Sequence, residues 1–183
     1  MSATRRELVR TAGGVALAAP LLLRAGDALA ADTGDEATIL GAVHLEQAAV
    51  VTYRTGATSG GLDAALTKTF ITFAGQEQEH LDALIKQLQS LGGVVPPLPT
   101  PEQVKVGGKT VASLQSQAEL LGFATDLELQ TVAFYYKAQQ SLRRAEFLQT
   151  TASIMANEGQ HLVVLREALN RPPVPNAFEV GKA

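Results

Sequence analysis

The sequence predicts an all-α protein, built as a four-helix bundle with one long crossover between helices 2 and 3. Ala, Leu, Gln and Val are abundant while aromatic residues make up only 5% of the chain, which favours helices over a β-sandwich or barrel. Four segments place apolar residues on one face at helical spacing. A Pro- and Gly-rich stretch separates the second segment from the third, and it is long enough to cross the length of a bundle.

The four helices are predicted from apolar stripes that end at Gly, Ser or Pro. The first stripe ends at the Gly-Ser break 58–61, and the second ends at Gly92. The crossover occupies 94–110, where repeated Pro and Gly exclude a helix. A short link near 143–146 joins the last two helices. The predicted helices cover 35–57, 62–91, 112–142 and 146–169.

Residues 1–30 are predicted to be a signal peptide that precedes one domain at 31–183. Paired arginines at 5–6 are followed by a short apolar run and by Ala-Leu-Ala at 28–30. The run is too short to span a bilayer, and the small residues suit a signal peptidase. The twin arginines are similar to the bacterial Tat signal, which exports folded proteins, and a generic Sec signal is the alternative. We therefore expect a bacterial protein exported by Tat to the periplasm, the cell envelope or the medium.

Composition excludes several classes of function. The net charge of −3 would become −5 after loss of residues 1–30, so neither nucleic acid nor an anionic membrane is expected as a partner. No Cys is present, which excludes disulfides, thiolate metal sites, iron–sulfur centres and Cys nucleophiles. No integral membrane span is expected in the mature chain.

The chain contains two copies of a helical hairpin pattern. LEQAAVVTY at 45–53 aligns with LELQTVAFY at 127–135. EQEHLDAL at 77–84 aligns with EGQHLVVL at 158–165, and both read E-x-x-H-L-x-x-L. The two pairs are offset by 82 and 81 residues. Each copy therefore presents one Glu on its first helix and an E-x-x-H motif on its second.

These motifs predict a metal site inside the bundle. Residues three apart on a helix share a face, so the Glu and His of each E-x-x-H motif point the same way. All the motif residues fall on the apolar stripes, which would carry four carboxylates and two imidazoles into the core. Buried carboxylates without partners are unfavourable by several kcal/mol or stay protonated, and no stripe carries a Lys or Arg. Two divalent cations would neutralise the carboxylates. The predicted metal ligands are Glu46, Glu77, His80, Glu128, Glu158 and His161.

The order Glu, E-x-x-H, Glu, E-x-x-H resembles the di-iron carboxylate proteins of the ferritin-like superfamily over essentially the whole mature chain. The resemblance implies the one-crossover topology, for which an ordinary up-and-down bundle is the alternative. It also implies two iron ions bridged by Glu77 and Glu158, with the two histidines and the two single glutamates completing the ligand shell. Manganese is the alternative metal, because oxygen donors with one imidazole per ion suit iron or manganese better than zinc. The signal segment and Pro-rich tail resemble those of exported ferritin-like domains related to desiccation-related proteins.

Tyr53 and Tyr135 follow the two single glutamates by seven residues, on the same helix faces and about 10 Å further along. They are candidates to donate a hydrogen bond to a ligand carboxylate or to donate electrons, and a purely core role is the alternative. His44 and Glu79 are predicted to face away from the site. Three polar residues that flank ligands either orient them or lie at the surface: Gln47, Gln76 and Asn157.

Gly159 lies between Glu158 and His161, so the segment is either a turn or one continuous helix. The counterpart 77–80 contains no Gly, which favours the helix. A Gly inside a helix is less favourable than Ala by about 1 kcal/mol, and the helix would tolerate this penalty when metal is bound.

The predicted function is oxidation of Fe(II) by O2 or H2O2, in iron handling or defence against oxidative stress. Two alternatives use the same residues: a non-catalytic metal-binding protein of the stress or desiccation-related kind, and dismutation of H2O2 as in manganese catalases. Dioxygen or peroxide is the expected small-molecule partner. A homo-oligomer is compatible with the sequence, and nothing in it indicates a ferritin cage.

Overall fold

The computed structural model describes residues 34–182 and contains four long α-helices in the predicted order. We number them α1 to α4, and they cover 34–58, Ala64–Ser90, Gln117–Ser141 and Ala145–Ala168. The prediction of an all-α four-helix bundle, with the long connection between α2 and α3, is confirmed. The predicted signal segment lies outside the described residues, so export stays a prediction.

The ends of α2 are set by local signals in the sequence. Asp63 caps its start, because the carboxylate accepts two backbone N–H hydrogen bonds of 2.9 Å from the first turn. At the other end Gly92 has a positive φ of 82°, and the N–H of Gly93 donates to the carbonyl of Leu88. The helix therefore ends at Ser90, just before the predicted stop at Gly92.

The crossover contains a small β-hairpin that was not predicted. Strands β1 (Lys105–Val106) and β2 (Lys109–Thr110) pair antiparallel around Gly107 and Gly108, whose φ angles are 56° and 82°. Two successive residues with positive φ make the turn that matches strand twist, and Gly adopts this conformation without steric penalty. Apolar side chains of the crossover are buried, which holds it against the bundle: Val104, Val106, Val111 and Leu114.

The start of α3 was predicted five residues too early. Val111–Ser113 form a 3-10 turn, and the α-helix begins at Gln117. The Ser116 hydroxyl accepts a hydrogen bond from the N–H of Glu119 at 3.3 Å, and the Glu119 carboxylate accepts one from the backbone just before the helix. Ser-x-x-Glu is a known helix-start pattern, and it marks the true boundary.

Helix α4 runs through Gly159 without interruption, so the turn alternative for this segment is wrong. Its start is held by α1, because the buried carboxylate of Asp35 accepts hydrogen bonds from the N–H groups of Arg143 and Arg144 at 2.8 and 3.1 Å. These bonds satisfy backbone donors at the start of α4, where the Arg144 side chain makes no capping bond.

Two apolar clusters fill the bundle, and a polar layer lies between them. Along α2, Phe70 and Phe73 belong to the first cluster, Leu84 and Leu88 belong to the second, and Glu77 lies between. Each of the other helices likewise contributes buried residues to both clusters. Tyr53 of α1 is in the first cluster, and Tyr135 of α3 is in the second.

The tail after α4 forms no helix or strand within 171–182 but is attached to the bundle. Arg166 pairs with Glu179 at 2.7 Å, and the N–H of Lys182 donates to the carbonyl of Leu129 at 2.8 Å. None of the helices described in 34–182 is both long and apolar enough to cross a membrane.

Candidate metal centre

Six side chains converge in the polar layer at the middle of the bundle. Helices α1 and α3 each bring one carboxylate, while α2 and α4 each bring a carboxylate and an imidazole three residues later. The four carboxylates and the second imidazole are at most 1% exposed, whereas the side chain of His80 is 13% exposed. These six residues, called the cluster below, are Glu46, Glu77, His80, Glu128, Glu158 and His161.

The cluster divides into two groups of donor atoms around its two histidines. Nδ1 of His80 lies 3.4 Å from Glu46, 3.3 Å from Glu77 and 3.3 Å from Glu158. Nδ1 of His161 lies 3.0 Å from Glu77 and 3.1 Å from Glu158. Glu77 and Glu158 therefore direct one oxygen to each group, as two bridging carboxylates would.

The second group is completed by Glu128, whose Oε1 lies 3.2 Å from Nδ1 of His161. Within each group the donor atoms all lie within 4.8 Å of one another. Both groups therefore have the composition and the spacing of metal-ion sites.

Several buried oxygens in this layer make no well-aligned hydrogen bond within residues 34–182, although a histidine Nδ1 lies 3.0–3.4 Å from each of them. They are Oε2 of Glu46, Oε1 of Glu77 and both carboxylate oxygens of Glu158. No Lys or Arg is buried in the described part of the chain, so no fixed cation neutralises these carboxylates. Buried polar atoms are normally satisfied, and each exception requires an explanation.

The donor set fits divalent metal ions. Atoms that share one ion at bond lengths of about 2.0–2.2 Å lie roughly 2.8–3.6 Å apart. The imidazole-to-carboxylate distances in the cluster, 3.0–3.4 Å, fall inside that range. Carboxylate oxygens with one imidazole per group are hard donors that suit iron or manganese. A metal would also satisfy the buried oxygens that make no well-aligned hydrogen bond.

The cluster residues shift one another's pKa values. Burial lowers the pKa of the two histidines, but the surrounding carboxylates outweigh burial and raise both values to about 12. Burial, with the charges of Glu158 and Glu77, raises the pKa of Glu46 and of Glu128 well above the usual 4.5. Burial also acts to raise the pKa of Glu77, but hydrogen bonds from the histidines lower it to about 2. Protons on the two histidines thus offset part of the carboxylate charge that a metal would otherwise balance.

The two tyrosines each donate a hydrogen bond to a carboxylate of the opposite repeat. The hydroxyl of Tyr53 donates to Oε1 of Glu128, and that of Tyr135 donates to Oε1 of Glu46. Burial, with the nearby carboxylate charges, raises the pKa of both tyrosines well above 10, which keeps the hydroxyls protonated. Both rings are fully buried.

The two histidines differ in their surroundings. Nε2 of His161 lies 2.8 Å from Oε1 of Gln76, to which it donates, and this contact orients Nδ1 toward the carboxylates. The ring of Phe73 stacks on that of His161, with centroids 3.9 Å apart. By contrast, His80 makes its polar contacts within 34–182 through Nδ1 alone.

The residues that flank the ligands have separate roles. His44 and Glu79 are exposed, in agreement with their predicted outward direction. Gln47 is buried, but its Nε2 donates to the carbonyl of Pro96 at 2.8 Å, so it anchors the crossover. Asn157 is half-buried. Of the three flanking polar residues, Gln76 is thus the one that contacts a cluster side chain.

The chain was compared with families and with individual proteins. A family model described as a ferritin-like domain matches residues 34–171, about three quarters of the chain. Searches of curated proteins and of solved structures gave no significant match. The matched region contains all four helices and all six cluster residues. The chain therefore belongs to the ferritin-like domain family.

Proposed function

We propose that this chain binds two divalent metal ions in the cluster and oxidises Fe(II) with O2 or H2O2, in iron handling or oxidative-stress defence. The observation that carries the proposal is the presence of two donor groups that share Glu77 and Glu158. Iron is the proposed metal, with manganese as the alternative. The twin-arginine segment supports the further proposal that the protein is exported to the periplasm, cell envelope or medium.

Each cluster residue has a distinct proposed role. Glu77 and Glu158 would each give one oxygen to each ion, because their oxygens lie near both histidines. His80 with Glu46 would complete one ligand set. The other imidazole with Glu128 would complete the second set.

When bound at these residues, two iron ions would supply two electrons, enough with two protons to reduce O2 to H2O2 or H2O2 to two water molecules. The four carboxylates would favour the oxidised products, because their negative charge would compensate the charge gained by a bound metal. The tyrosine hydroxyls hold Glu46 and Glu128 in position. The two apolar clusters exclude bulk water above and below the polar layer.

Anaerobic loading with Fe(II) followed by exposure to O2 tests this function. We expect about two Fe(II) per chain to bind and then to be oxidised within seconds, much faster than free Fe(II) under the same conditions. The Glu158→Ala variant should lose both binding and oxidation, whereas Glu146→Ala, an exposed carboxylate on the same helix, should keep both.

The main alternative is a metal-binding protein without turnover, and the near-complete burial of the cluster favours it. In that case the loaded Fe(II) would remain ferrous in air. Release of O2 from H2O2 by the Mn(II)-loaded protein would instead support peroxide dismutation.

A further inference from the structure

We propose that a pocket between α2 and α4, next to His80, is the entrance through which metal ions and the small oxidant reach the cluster. This inference rests on the proposed metal-binding function. The pocket has a volume of about 410 Å³. Its lining includes Glu79, His80 and Ala83 of α2 and Gln149, Thr150 and Ser153 of α4.

The packing of the helices leaves this side open. Among the described helices, α4 packs much more extensively against α3 than against α2. A hydrogen bond of 2.6 Å from Gln87 of α2 to the hydroxyl of Thr150 joins the two helices beside the pocket. The small side chains of Ala83 and Ser153 leave space on the two walls.

The cluster is open on the His80 side and closed on the opposite side. The side chain of His80 is 13% exposed and lines the pocket, whereas that of His161 is 1% exposed. The stacked ring of Phe73 and the amide of Gln76 cover the second imidazole. An ion that enters from the pocket therefore meets His80 before any buried carboxylate.

His80 is also held by fewer contacts than His161 within residues 34–182. Its polar contacts within 34–182 are all made by Nδ1, and no protein group in that range accepts a hydrogen bond from Nε2. Rotation of the ring toward the pocket would break those contacts and the distant stacking on the ring of His161, whose centroid is 6.5 Å away. In contrast, rotation of His161 would also break its bond to Gln76 and its stacking on Phe73. His80 therefore serves as both ligand and gate.

The charge at the mouth of the pocket suits a cation. Glu79 is exposed at the rim, and neither Lys nor Arg is among the residues found to line the pocket. Gln149, Thr150 and Ser153 of α4 add hydroxyl and amide groups to a lining that also includes the apolar side chains of Ala83 and Ile154. The carboxylate at the rim raises the local concentration of divalent cations.

A side chain that fills the pocket tests the entrance without an activity assay. We would compare Ser153→Trp with Ala152→Trp, which places the same bulk on an exposed neighbouring position that is not among the pocket-lining residues. The readout is the rate and the final stoichiometry of Co(II) uptake by the metal-free protein, followed by the visible absorption of the bound ion. We expect uptake to slow by at least about tenfold for Ser153→Trp and to change little for Ala152→Trp, with unchanged stoichiometry in both.

The outcomes separate this inference from the proposed function. If the wild-type chain binds no Co(II), Mn(II) or Fe(II), the metal site itself is wrong. If the wild-type chain binds metal and both Trp variants take it up at the wild-type rate, the metal site stands and the entrance is wrong. Equal slowing by both variants would also overturn the entrance, since the effect would not depend on the pocket.

A charge variant gives a second test. Glu79→Gln should slow Co(II) uptake by about two- to fivefold at low ionic strength and by much less in about 1 M salt, because screening removes the attraction. Glu102→Gln, an exposed carboxylate in the crossover, should have no such effect. Equal uptake rates for the wild-type chain and Glu79→Gln at low salt would contradict the role of this carboxylate.

Discussion

The hydroxyl of Tyr53 on α1 donates a hydrogen bond to the carboxylate of Glu128 on α3, in the other sequence repeat. Tyr135 on α3 makes the reverse contact with Glu46 on α1. Each repeat thus positions the single glutamate of the other, and the two hairpins are joined through the candidate ligands. The geometry of the candidate metal site and the packing of the two halves therefore depend on each other.

Removal of one tyrosine hydroxyl should weaken metal binding. In Tyr53→Phe the carboxylate of Glu128 loses the hydrogen bond from the tyrosine hydroxyl, and we expect the affinity of the metal position beside His161 to fall by about 10- to 100-fold. The ring and its packing against Phe70 and Phe73 are retained, so the helical content should not change. Competition titration against a chelator measures the affinity.

The matched control is Tyr136→Phe, since Tyr136 is 45% exposed and lies next to Tyr135 in the chain. It should bind metal with wild-type affinity. If Tyr53→Phe also bound two ions with wild-type affinity, the tyrosine would be only a core residue.

Gly159 provides a stability prediction. It lies in the middle of α4, and a Cβ added there would have no heavy atom within 4 Å. Gly159→Ala should therefore raise the free energy of unfolding by about 1 kcal/mol, because Ala loses less backbone entropy in a helix. Chemical denaturation of the metal-free protein measures this change.

Gly181→Ala should have the opposite effect. Gly181 has a positive φ of 69°, and an added Cβ would lie 2.2 Å from the carbonyl oxygen of Leu129. The tail would have to leave its contact with α3, and we expect the unfolding free energy to fall by about 1 kcal/mol or more. A stabilising Gly181→Ala, or a destabilising Gly159→Ala, would contradict the described packing.

The pKa shifts predict how stability changes with pH. In the metal-free protein the pKa of each cluster histidine is raised from the usual 6.5 to about 12. The histidines therefore stabilise the fold fully below about pH 6.5, and this stabilisation is lost as pH rises toward 12. The pKa values of Glu46 and Glu128 are also raised, so these two residues likewise contribute less to stability as pH rises above 4.5, their usual pKa. Glu77, with a lowered pKa of about 2, contributes stability above about pH 4.5 that is lost only as pH falls toward 2.

The metal-free protein should therefore melt at a lower temperature at about pH 8 than at about pH 6. Metal displaces these protons, so its binding strengthens as pH rises, and the increase in Tm caused by Mn(II) should be larger at about pH 8. Thermal melts at both pH values, with and without Mn(II), provide the measurement. An increase in Tm on adding Mn(II) that did not depend on pH would contradict the exchange of protons for metal.

The fold was predictable because its strongest signals are repeated. Four apolar stripes, the Pro- and Gly-rich crossover and the paired E-x-x-H motifs each indicate the same bundle, and a single weak position such as Gly159 does not outweigh them. The hairpin around Gly107 was not predicted, because its two-residue strands are shorter than the alternation that identifies a strand. The start of α3 was misplaced because apolar spacing was given more weight than the Ser116 cap.

The helical periodicity of the sequence predicted that the six cluster residues face the core. It did not predict how the four helices are arranged around one another. The crossing of the tyrosine contacts between repeats depends on the tertiary arrangement, as does the contact of Gln76 with His161. The difference in exposure between His80 and His161 also depends on the tertiary arrangement. The repeats are similar in sequence, but Phe73 and Gln76 cover the imidazole of His161 while that of His80 lines a pocket.

The central claim is that the cluster holds two metal ions, and the metal content of the purified 31–183 domain tests it most directly. After loading with excess Fe(II) or Mn(II) and removal of loosely bound ions, elemental analysis should find about two ions per chain. Glu158→Ala removes a carboxylate shared by both donor groups and should bring the content close to zero, while Glu146→Ala should leave it unchanged. Fewer than about one ion per wild-type chain, or a Glu158→Ala variant that still binds two, would contradict the two-metal account.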